Sequence, residues 1–174
     1  MKLKIKVKVL VDGCTPTIID KGDWIDLKAA EDIELHQPHA NILHKTVKGA
    51  YRDVEINSAL IPLGVAMQLP KGFEGYVLPR SSSYKNYGFI VTNSKGIIDQ
   101  TYCGDNDEWK LPIVSLKPTT IHKGDRVAQF RIQLSQKATL WQKLKWLFSS
   151  GVKLVKVEDL GNNNRGGFGS TNKN

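Results

Sequence analysis

The feature that most constrains this fold is a series of short β-strand patterns, each ended by glycine or proline within a few residues. The clearest covers residues 2–11, where lysine alternates with aliphatic side chains, as in a strand whose lysines face water and discourage edge pairing. Similar short runs follow at 24–35, 54–60, 64–69, 75–78, 113–116, 126–134 and 152–157. Many short strands separated by turns predict an all-β jelly roll or barrel.

Two segments depart from the strand pattern and predict helices. A short one begins at Arg80–Ser83 and continues through Lys85. The other covers residues 139–148, where apolar side chains recur at helical spacing opposite Lys143 and Lys145. We therefore expect residues 1–160 to form one β domain that carries this inserted helix.

The end of the chain, residues 161–174, is expected to form a flexible arm. Within it, Arg165–Thr171 places a single aromatic residue, Phe168, among glycines beside an arginine and two hydroxyl groups. Glycine at this density favours neither strand nor helix. A ring for stacking, a guanidinium for phosphate and free N–H groups suit closure over a nucleotide. A frayed terminus without a ligand is the other interpretation.

The formal net charge of +8 indicates an anionic partner but does not choose one. Residues 126–156 contain seven basic side chains and no acidic one, which suits nucleic acid, a membrane surface, a polyphosphate or a solvated face. No apolar run approaches the roughly 20 residues that span a bilayer, and no signal-peptide pattern is present. The two cysteines have no metal-binding spacing, so we expect reduced thiols and a cytoplasmic protein.

Five segments, read in order, carry a resemblance to a known family. They are Trp24–Asp32, Pro79–Ser83, Asn93–Tyr102, Gly124–Gln129 and the glycine-rich tail. In this order they resemble the motifs of the homotrimeric deoxyuridine triphosphate nucleotidohydrolases (dUTPases), notably Gram-positive bacterial and phage members. The resemblance implies that family's jelly roll and a homotrimer whose active sites combine motifs from three subunits. It also implies hydrolysis of dUTP to dUMP and pyrophosphate, which keeps uracil out of DNA and supplies dUMP for dTMP synthesis.

By this resemblance the third motif supplies the nucleoside site. A tight hairpin, formed by residues 96–98 and 102–103, would read uracil through the backbone of Gly96 and Ile98, with the amide of Asn93 beside it. Tyr102 would pack under the sugar and leave no room for a 2′-hydroxyl. Asp99, at the hairpin tip, would orient and deprotonate the attacking water.

The resemblance assigns the triphosphate to the other motifs. The residues implied to contact phosphates are Arg80, Ser81, Ser82, Gln129, Arg165, Ser170 and Thr171. Phe168, followed by Gly169, would stack over the uracil as the arm closes. Arg165 stands three residues before Phe168, where many members have five. Either the arm is shortened or Arg165 is not the clamp of the γ-phosphate.

Magnesium is the expected cofactor, bound through the substrate phosphates and water rather than by protein ligands. The resemblance places Asp26 either near the metal-bound waters or as a brace of the phosphate pocket. Trp24 replaces a glycine that is common in the family, which leaves the packing of the first motif open. His36, His39 and His44 have a loose metal-like spacing, but we interpret them as surface residues of a loop.

Two other functions remain compatible with the sequence. A dCTP deaminase shares the fold and the mode of phosphate binding, but its reaction needs an additional acidic residue near the base. Glu108, downstream of Asp99 in the sequence, is the candidate for that residue. A non-catalytic binding or regulatory protein could use the same scaffold and bind nucleic acid through residues 126–156. The main hypothesis requires neither nucleic acid nor a membrane. The helix at 139–148 either packs within the trimer or offers a surface to a regulatory protein or a membrane.

Overall fold

A computed structural model describes residues 1–20, 22–36 and 38–168 of this chain, and nearly all its regular structure is β. In chain order the strands are β1 (Leu3–Val9), β2 (Thr17–Ile18), β3 (Ile25–Lys28), β4 (Ile33–Leu35), β5 (His39–Thr46), β6 (Gly49–Glu55), β7 (Ser58–Pro62), β8 (Val65–Gln68), β9 (Phe73–Pro79), β10 (Phe89–Val91), β11 (Gly96–Ile98), β12 (Lys110–Ser115), β13 (Thr119–Ile121), β14 (Arg126–Leu134) and β15 (Val152–Lys156). The helices are α1 (Ser83–Tyr87) and α2 (Leu140–Leu147). The predicted all-β class is confirmed.

The largest sheet has the strand order β11-β9-β14-β3-β2 and positions several motif residues. Its central strand, β14, lies between β9 and β3, so Gln129 is opposite Leu78 on one side and Asp26 on the other. Smaller sheets, β15-β1-β8 and β10-β12-β7, enclose the core with it. Trp109 and Phe130 are fully buried there with their rings edge to face, 5.1 Å between centroids. This core fixes the strands whose ends carry the site.

The first strand confirms the predicted alternation, but its lysines do not protect a sheet edge. Leu3, Ile5 and Val7 are buried, and Lys4 and Lys6 are exposed. Strand β1 nevertheless lies in the centre of its sheet, parallel to β15 and antiparallel to β8. Lysines on the solvent face do not interfere with backbone pairing, so an alternating pattern does not by itself identify an edge strand.

Residues 39–55 form a hairpin, so His39 and His44 lie on a strand and not in the predicted surface loop. Strands β5 and β6 pair only with each other among the described residues, through the two-residue turn Val47–Lys48. Leu43 and Tyr51 are exposed on this ribbon. None of its described side chains is buried, so the segment lacks the apolar alternation by which strands are recognised. The single strand predicted at 54–60 was also wrong, because β6 ends at Glu55 and β7 begins at Ser58, both inside that range.

The predicted hairpin around Asp99 needs correction as well. The turn is present, since the backbone N–H of Tyr102 donates to the carbonyl oxygen of Asp99 at 3.1 Å. Residues 102–103 are not a strand, however, and β11 pairs with β9 instead. The chain leaves the turn as a loop because the backbone N–H of Gly104 donates to the Asp107 carboxylate at 2.8 Å instead of to a strand.

The two helices lie close to their predicted places. Helix α1 begins three residues after Arg80, because the buried Ser83 hydroxyl bonds to Val127 and to the Arg80 N–H and holds the preceding turn. Helix α2 starts with a capping box formed by Thr139 and Gln142.

The side chains of α2 are largely outside the core. Trp146 packs against Phe73 with 5.4 Å between ring centroids. The apolar side chains of Trp141 and Phe148 remain 81% and 75% exposed. No helix in the described ranges is long and apolar enough to cross a membrane.

Candidate active site

A cleft of about 230 Å³ lies between the end of β11 and the C-terminal arm, and we call it the Asp99 cleft. One wall consists of Ile97–Asp99 and Tyr102, and the other consists of Arg165–Phe168. Strand β11 can carry a site at this end because its pairing with β9 stops at Ile98. The chain then turns sharply, so Asp99 projects from the turn into the cleft.

Tyr102 forms a rigid floor for this cleft. Its ring is buried and its hydroxyl donates to the carbonyl oxygen of Glu108 at 2.8 Å. Burial, together with the charges of Asp107 and Glu108, raises the pKa of Tyr102 to about 12. The phenol therefore stays neutral. Phe168 meets this ring edge to face at 6.1 Å, and a Cβ on Gly167 would lie 3.0 Å from it.

Asp99 supplies the negative charge of the Asp99 cleft. Its carboxylate accepts hydrogen bonds from the Thr101 backbone at 2.7 Å and from the Thr101 hydroxyl. It also forms an ion pair with the Arg165 guanidinium. Partial burial raises the pKa of Asp99, but the bonds from Thr101 and the pairing with Arg165 outweigh burial and hold the pKa below its usual range. Asp99 is therefore ionised at neutral pH.

The arm reaches Asp99 because a second carboxylate holds it. Asp107 is buried beneath the arm and accepts hydrogen bonds from the backbone N–H groups of Arg165 at 2.9 Å and Gly166 at 3.0 Å. Burial raises the pKa of Asp107, but the surrounding N–H groups outweigh burial, so the pKa is lowered overall. Gly166 has a φ of 73°, which glycine adopts readily.

A second cleft, of about 460 Å³, opens where β9 meets α1, and we call it the Arg80 cleft. Arg80, Ser81 and Gln129 are among its lining residues. The Gln129 amide donates to the carbonyl oxygen of Pro79 at 3.1 Å, which fixes the orientation of this side chain. The cleft therefore presents a cation, a hydroxyl and an amide, a set of donors suited to phosphate oxygens.

Asp26 organises the cations of this cleft from below. Its buried carboxylate pairs with Arg80 Nε at 3.0 Å and with Arg126 Nη1 at 3.1 Å. Neighbouring strands bring the three residues together, because β3 carries Asp26 and pairs with β14. Both oxygens of Asp26 are therefore committed to arginines, which holds Arg80 in one orientation.

Several other predicted site residues either line neither cleft or lie outside the described residues. Asn93 is exposed on the turn before β11, with its amide nitrogen 3.8 Å from the position of a Cβ on Gly96. Ser82 is the N-cap of α1 and makes no side-chain capping bond. Neither lines the two clefts as the described residues form them. Gly169, Ser170 and Thr171 lie outside the described residues.

Trp24 and the basic segment 126–156 are partly explained by contacts within the chain. Arg131 lies over the Trp24 ring, 5.5 Å from its centroid, and pairs with Asp23 at 3.4 Å. Trp24 thus covers an arginine where the family often has glycine. Arg126 pairs with Asp26, whereas Lys143 and the other lysines of the segment are exposed.

Within the described ranges, no group of three or more His, Cys, Asp or Glu side chains is arranged to hold a metal ion. His44 instead stacks on Tyr51 at 4.9 Å, within the β5–β6 hairpin. Glu108, the acid that a deaminase would require, accepts a hydrogen bond from the Gly64 N–H at 2.9 Å and does not line the Asp99 cleft.

Sequence reasoning missed two residues that shape the site. Ser83 is buried and links the Arg80 turn to Val127. Asp107 lies in a loop whose acidic composition is typical of a solvated surface, so nothing in the pattern indicated its burial. The adjacent Trp109, a large apolar residue in that acidic stretch, was the available signal that part of this loop faces inward.

Comparison with known proteins supports one family. The dUTPase family model matches residues 25–145. The SPbeta prophage-derived deoxyuridine 5'-triphosphate nucleotidohydrolase of Bacillus subtilis (strain 168) is 44% identical over 172 residues, which cover 97% of this chain and 98% of that protein. The deoxyuridine 5'-triphosphate nucleotidohydrolase of Wolbachia pipientis subsp. Culex pipiens (strain wPip) is 31% identical over 180 residues, covering 99% and 97%. The chain belongs to the dUTPase family.

Solved structures agree on the fold. The dUTPase of Streptococcus mutans matches with a TM-score of 0.58 at 21% identity, covering 74% of this chain and 91% of that one. The dUTPase of Staphylococcus bacteriophage 80alpha with dUPNHPP matches with a TM-score of 0.57 at 18% identity, covering 97% and 98%. At these identities the likeness shows the fold alone, and it confirms the predicted jelly roll.

Proposed function

We propose that this chain hydrolyses dUTP to dUMP and pyrophosphate, as a dUTP diphosphatase, with Asp99 as the base that activates water. The observation that carries the proposal is the Asp99 cleft, which places an ionised carboxylate beside two aromatic rings and an arginine. The names of the full-length relatives support the same reaction. Such an enzyme keeps uracil out of DNA and supplies dUMP for dTMP synthesis.

The nucleoside would lie between Tyr102 and the arm. Tyr102 is fixed by its hydrogen bond to Glu108. Its ring would offer a rigid surface under the sugar and would exclude a 2′-hydroxyl. Phe168 would cover the uracil, whose polar edge would be read by the backbone of Gly96 and Ile98, with Asn93 beside it. Hydrogen-bond readout of this kind rejects cytosine strongly, because its donors and acceptors are exchanged.

Arg165 would exchange partners during the reaction. In the free protein it neutralises Asp99, and a bound triphosphate offers it a larger negative charge. Once Arg165 moves to the phosphates, Asp99 is free to hold a water in line with the α-phosphorus and to accept its proton. Because Arg165 and Phe168 line one cleft, the short spacing between them is compatible with a clamp. Gly169, Ser170 and Thr171 would complete the arm.

The Arg80 cleft would receive phosphates, with Arg80, Ser81 and Gln129 as donors and Ser82 at the start of α1. The buried Asp26 would brace this pocket, since both its oxygens already hold arginines. Mg²⁺ would enter on the triphosphate and supply charge neutralisation there. Such an ion needs no protein ligand cluster. For comparison, the dUTPase of phage phi11 of S. aureus coordinates a structural Mg(II) ion.

The active form would be a homotrimer that combines the two clefts across subunits. Within one chain the Asp99 cleft and the Arg80 cleft share no lining residue. One nucleotide must reach both, so a site built from Asp99 of one subunit and Arg80 of another would account for the separation. A cytoplasmic location is also proposed, and the free thiols of Cys14 and Cys103 suit a reducing compartment.

The substrate is tested with dUTP, dCTP, dTTP and UTP in the presence of magnesium, assaying pyrophosphate and ammonia. Pyrophosphate from dUTP alone is expected. Ammonia from dCTP would instead establish a deaminase, which the placement of Glu108 disfavours. Hydrolysis of UTP at the dUTP rate would show that Tyr102 does not exclude the 2′-hydroxyl.

Shared sites are tested by mixing two inactive variants, Asp99→Asn and Arg80→Gln, after unfolding and refolding them together. If each site takes these residues from different subunits, about a quarter of the sites in random trimers contain both native residues. Activity near that fraction of wild type supports the proposal. A mixture as inactive as either variant alone would contradict it. Size-exclusion chromatography checks that trimers have formed.

A regulatory protein partner stays a prediction. Helix α2 exposes Trp141 and Phe148, and no described residue covers them. Proteins of similar fold, the phage 80alpha dUTPases, control transfer of virulence genes. Binding of such a partner to α2 would be lost in a Trp141→Ala variant while hydrolysis of dUTP remained.

A further inference from the structure

The loop Cys103–Asp107, which we call the arm dock, has no part in the proposed reaction, yet it carries the C-terminal arm. The Asn162 amide donates to the carbonyl oxygen of Cys103 at 3.2 Å. The Asn106 backbone N–H donates to the side-chain oxygen of Asn164 at 2.8 Å. The dock therefore contacts the arm through polar groups over several consecutive residues.

The central group of the arm dock is the buried carboxylate of Asp107, which accepts hydrogen bonds from the arm. Asp107 Oδ2 accepts from the backbone N–H of Gly104 at 2.8 Å and of Arg165 at 2.9 Å, and Oδ1 accepts from Gly166 at 3.0 Å. A buried charge is costly unless hydrogen bonds satisfy it. Two of these three donors come from the arm, so displacing the arm would leave Asp107 only partly satisfied.

The shape of the dock is also specific for the arm. A Cβ on Gly104 would lie 2.5 Å from the Cα and side-chain oxygen of Asn164. The φ of Gly104 lies outside the left-handed region, so its backbone does not require glycine. The missing side chain instead provides the space that the arm occupies.

We propose that Asp107 is a positioning residue that holds the arm over the Asp99 cleft before substrate arrives. By fixing the N–H groups of Arg165 and Gly166, it places the Arg165 side chain at Asp99 and Phe168 against Tyr102. The role in catalysis rests on the proposed dUTP hydrolysis, but the docking itself does not. An arm that is already held in place loses less conformational entropy when it closes over a nucleotide.

The test compares Asp107→Asn and Gly104→Ala with wild type in the full-length protein. The first replaces a carboxylate oxygen by an NH₂ group that faces N–H donors, and the second fills the space under Asn164 without changing charge. Glu158→Gln is the matched control, because Glu158 is exposed and has no hydrogen bond or ion pair with the described residues. Thermal unfolding checks that each variant is folded.

The first readout is hydrogen exchange of the Arg165 and Gly166 amides without nucleotide. Protection in wild type and Glu158→Gln, lost by about tenfold or more in both dock variants, supports the proposal. Equal exchange in all four proteins would overturn it. Protected amides in a wild type that releases no pyrophosphate from dUTP would support docking while removing the proposed reaction, so the two failures are distinguishable.

The second readout separates positioning from folding. With dUTP, both dock variants are expected to raise KM about tenfold with a smaller change in kcat, since they weaken closure more than chemistry. The double variant Asp107→Asn/Phe168→Ala should resemble Asp107→Asn alone, because an undocked arm no longer presents the ring. Fully multiplicative losses in the double variant would mean that Asp107 does not act through the arm.

Discussion

The two carboxylate–arginine clusters of this molecule are built alike but differ in burial. Asp26 lies between Arg80 and Arg126 on neighbouring strands, and its side chain is 2% exposed. Asp99 pairs with Arg165 from the end of the chain, and its side chain is 44% exposed. A buried pair between strands cannot open without large cost, whereas a half-exposed pair can exchange partners with water or substrate.

This difference assigns a separate task to each carboxylate. Asp26 fixes the cations of the Arg80 cleft and has no free oxygen with which to bind a water. Asp99 keeps its charge through Thr101 and Arg165, and one of these partners lies on the arm. The position of an acid in the fold, rather than its pairing with arginine, indicates which one can take part in chemistry.

The largest expected effect separates the two carboxylates by activity. Asp99→Asn should lower kcat for dUTP by about a thousandfold, because the amide cannot accept the proton of the attacking water. Its free energy of unfolding should change by less than about 1 kcal/mol, since an exposed ion pair contributes little. Pyrophosphate release and urea unfolding measure the two quantities. A variant that kept more than about a tenth of wild-type kcat would remove Asp99 as the base.

The next effect is on stability and concerns Asp26. Asp26→Asn should lower the free energy of unfolding by about 3 kcal/mol, because it leaves Arg80 and Arg126 facing one another without a counter-charge. Arg126 is half exposed and can turn to water, which keeps the loss at the lower end of the range for buried pairs. Urea unfolding at fixed protein concentration measures it. Asp12→Asn, an exposed turn residue, is the charge-matched control and should unfold like wild type.

The sequence anticipated the Asp99 cluster better than the Asp26 cluster. Ordered motifs predicted that Asp99, Tyr102, Arg165 and Phe168 belong to one site, and the structure brings these four residues into one cleft. The bounds of β14 were also predicted correctly, because apolar residues alternate with polar ones from Ala128 to Leu134. The two arginines that bind Asp26 could not be predicted, since that contact depends on how β3, β9 and β14 pair.

The largest misses share one physical cause. No described side chain of the β5–β6 ribbon is buried, so its residues show no periodic apolar pattern. Asp107 is buried in an acidic loop because the arm covers it, a contact between residues 58 positions apart. The apolar periodicity of a segment indicates how that segment packs against the core. It gives no signal where a segment packs only against another loop or against its own partner strand.

Removing the ring that closes the Asp99 cleft should have a moderate effect. Phe168→Ala is expected to raise KM for dUTP about tenfold, because stacking of a base on an aromatic ring contributes about 1–3 kcal/mol. Steady-state kinetics measure the change. Phe148→Ala, which removes a more exposed ring from the end of α2, should leave KM unchanged. If Phe168→Ala also left KM unchanged, the arm would not close over the base through this ring.

The smallest expected effect is the pH dependence of the Asp99 cluster. Because Thr101 and Arg165 lower the pKa of Asp99 in the folded protein below its ordinary value of 3.8, folding is stabilised when this carboxylate is ionised. That stabilisation is fully present above the unfolded pKa and is lost as pH falls through the folded pKa. The difference in Tm between wild type and Asp99→Asn should therefore be constant from pH 7 to about pH 5 and shrink below about pH 4. Asp26→Asn should keep its larger Tm deficit over the pH range where the Asp99 difference is constant, since its arginines remain charged. A Tm difference for Asp99→Asn that grew as pH fell would mean that the ion pair with Arg165 does not stabilise the folded protein.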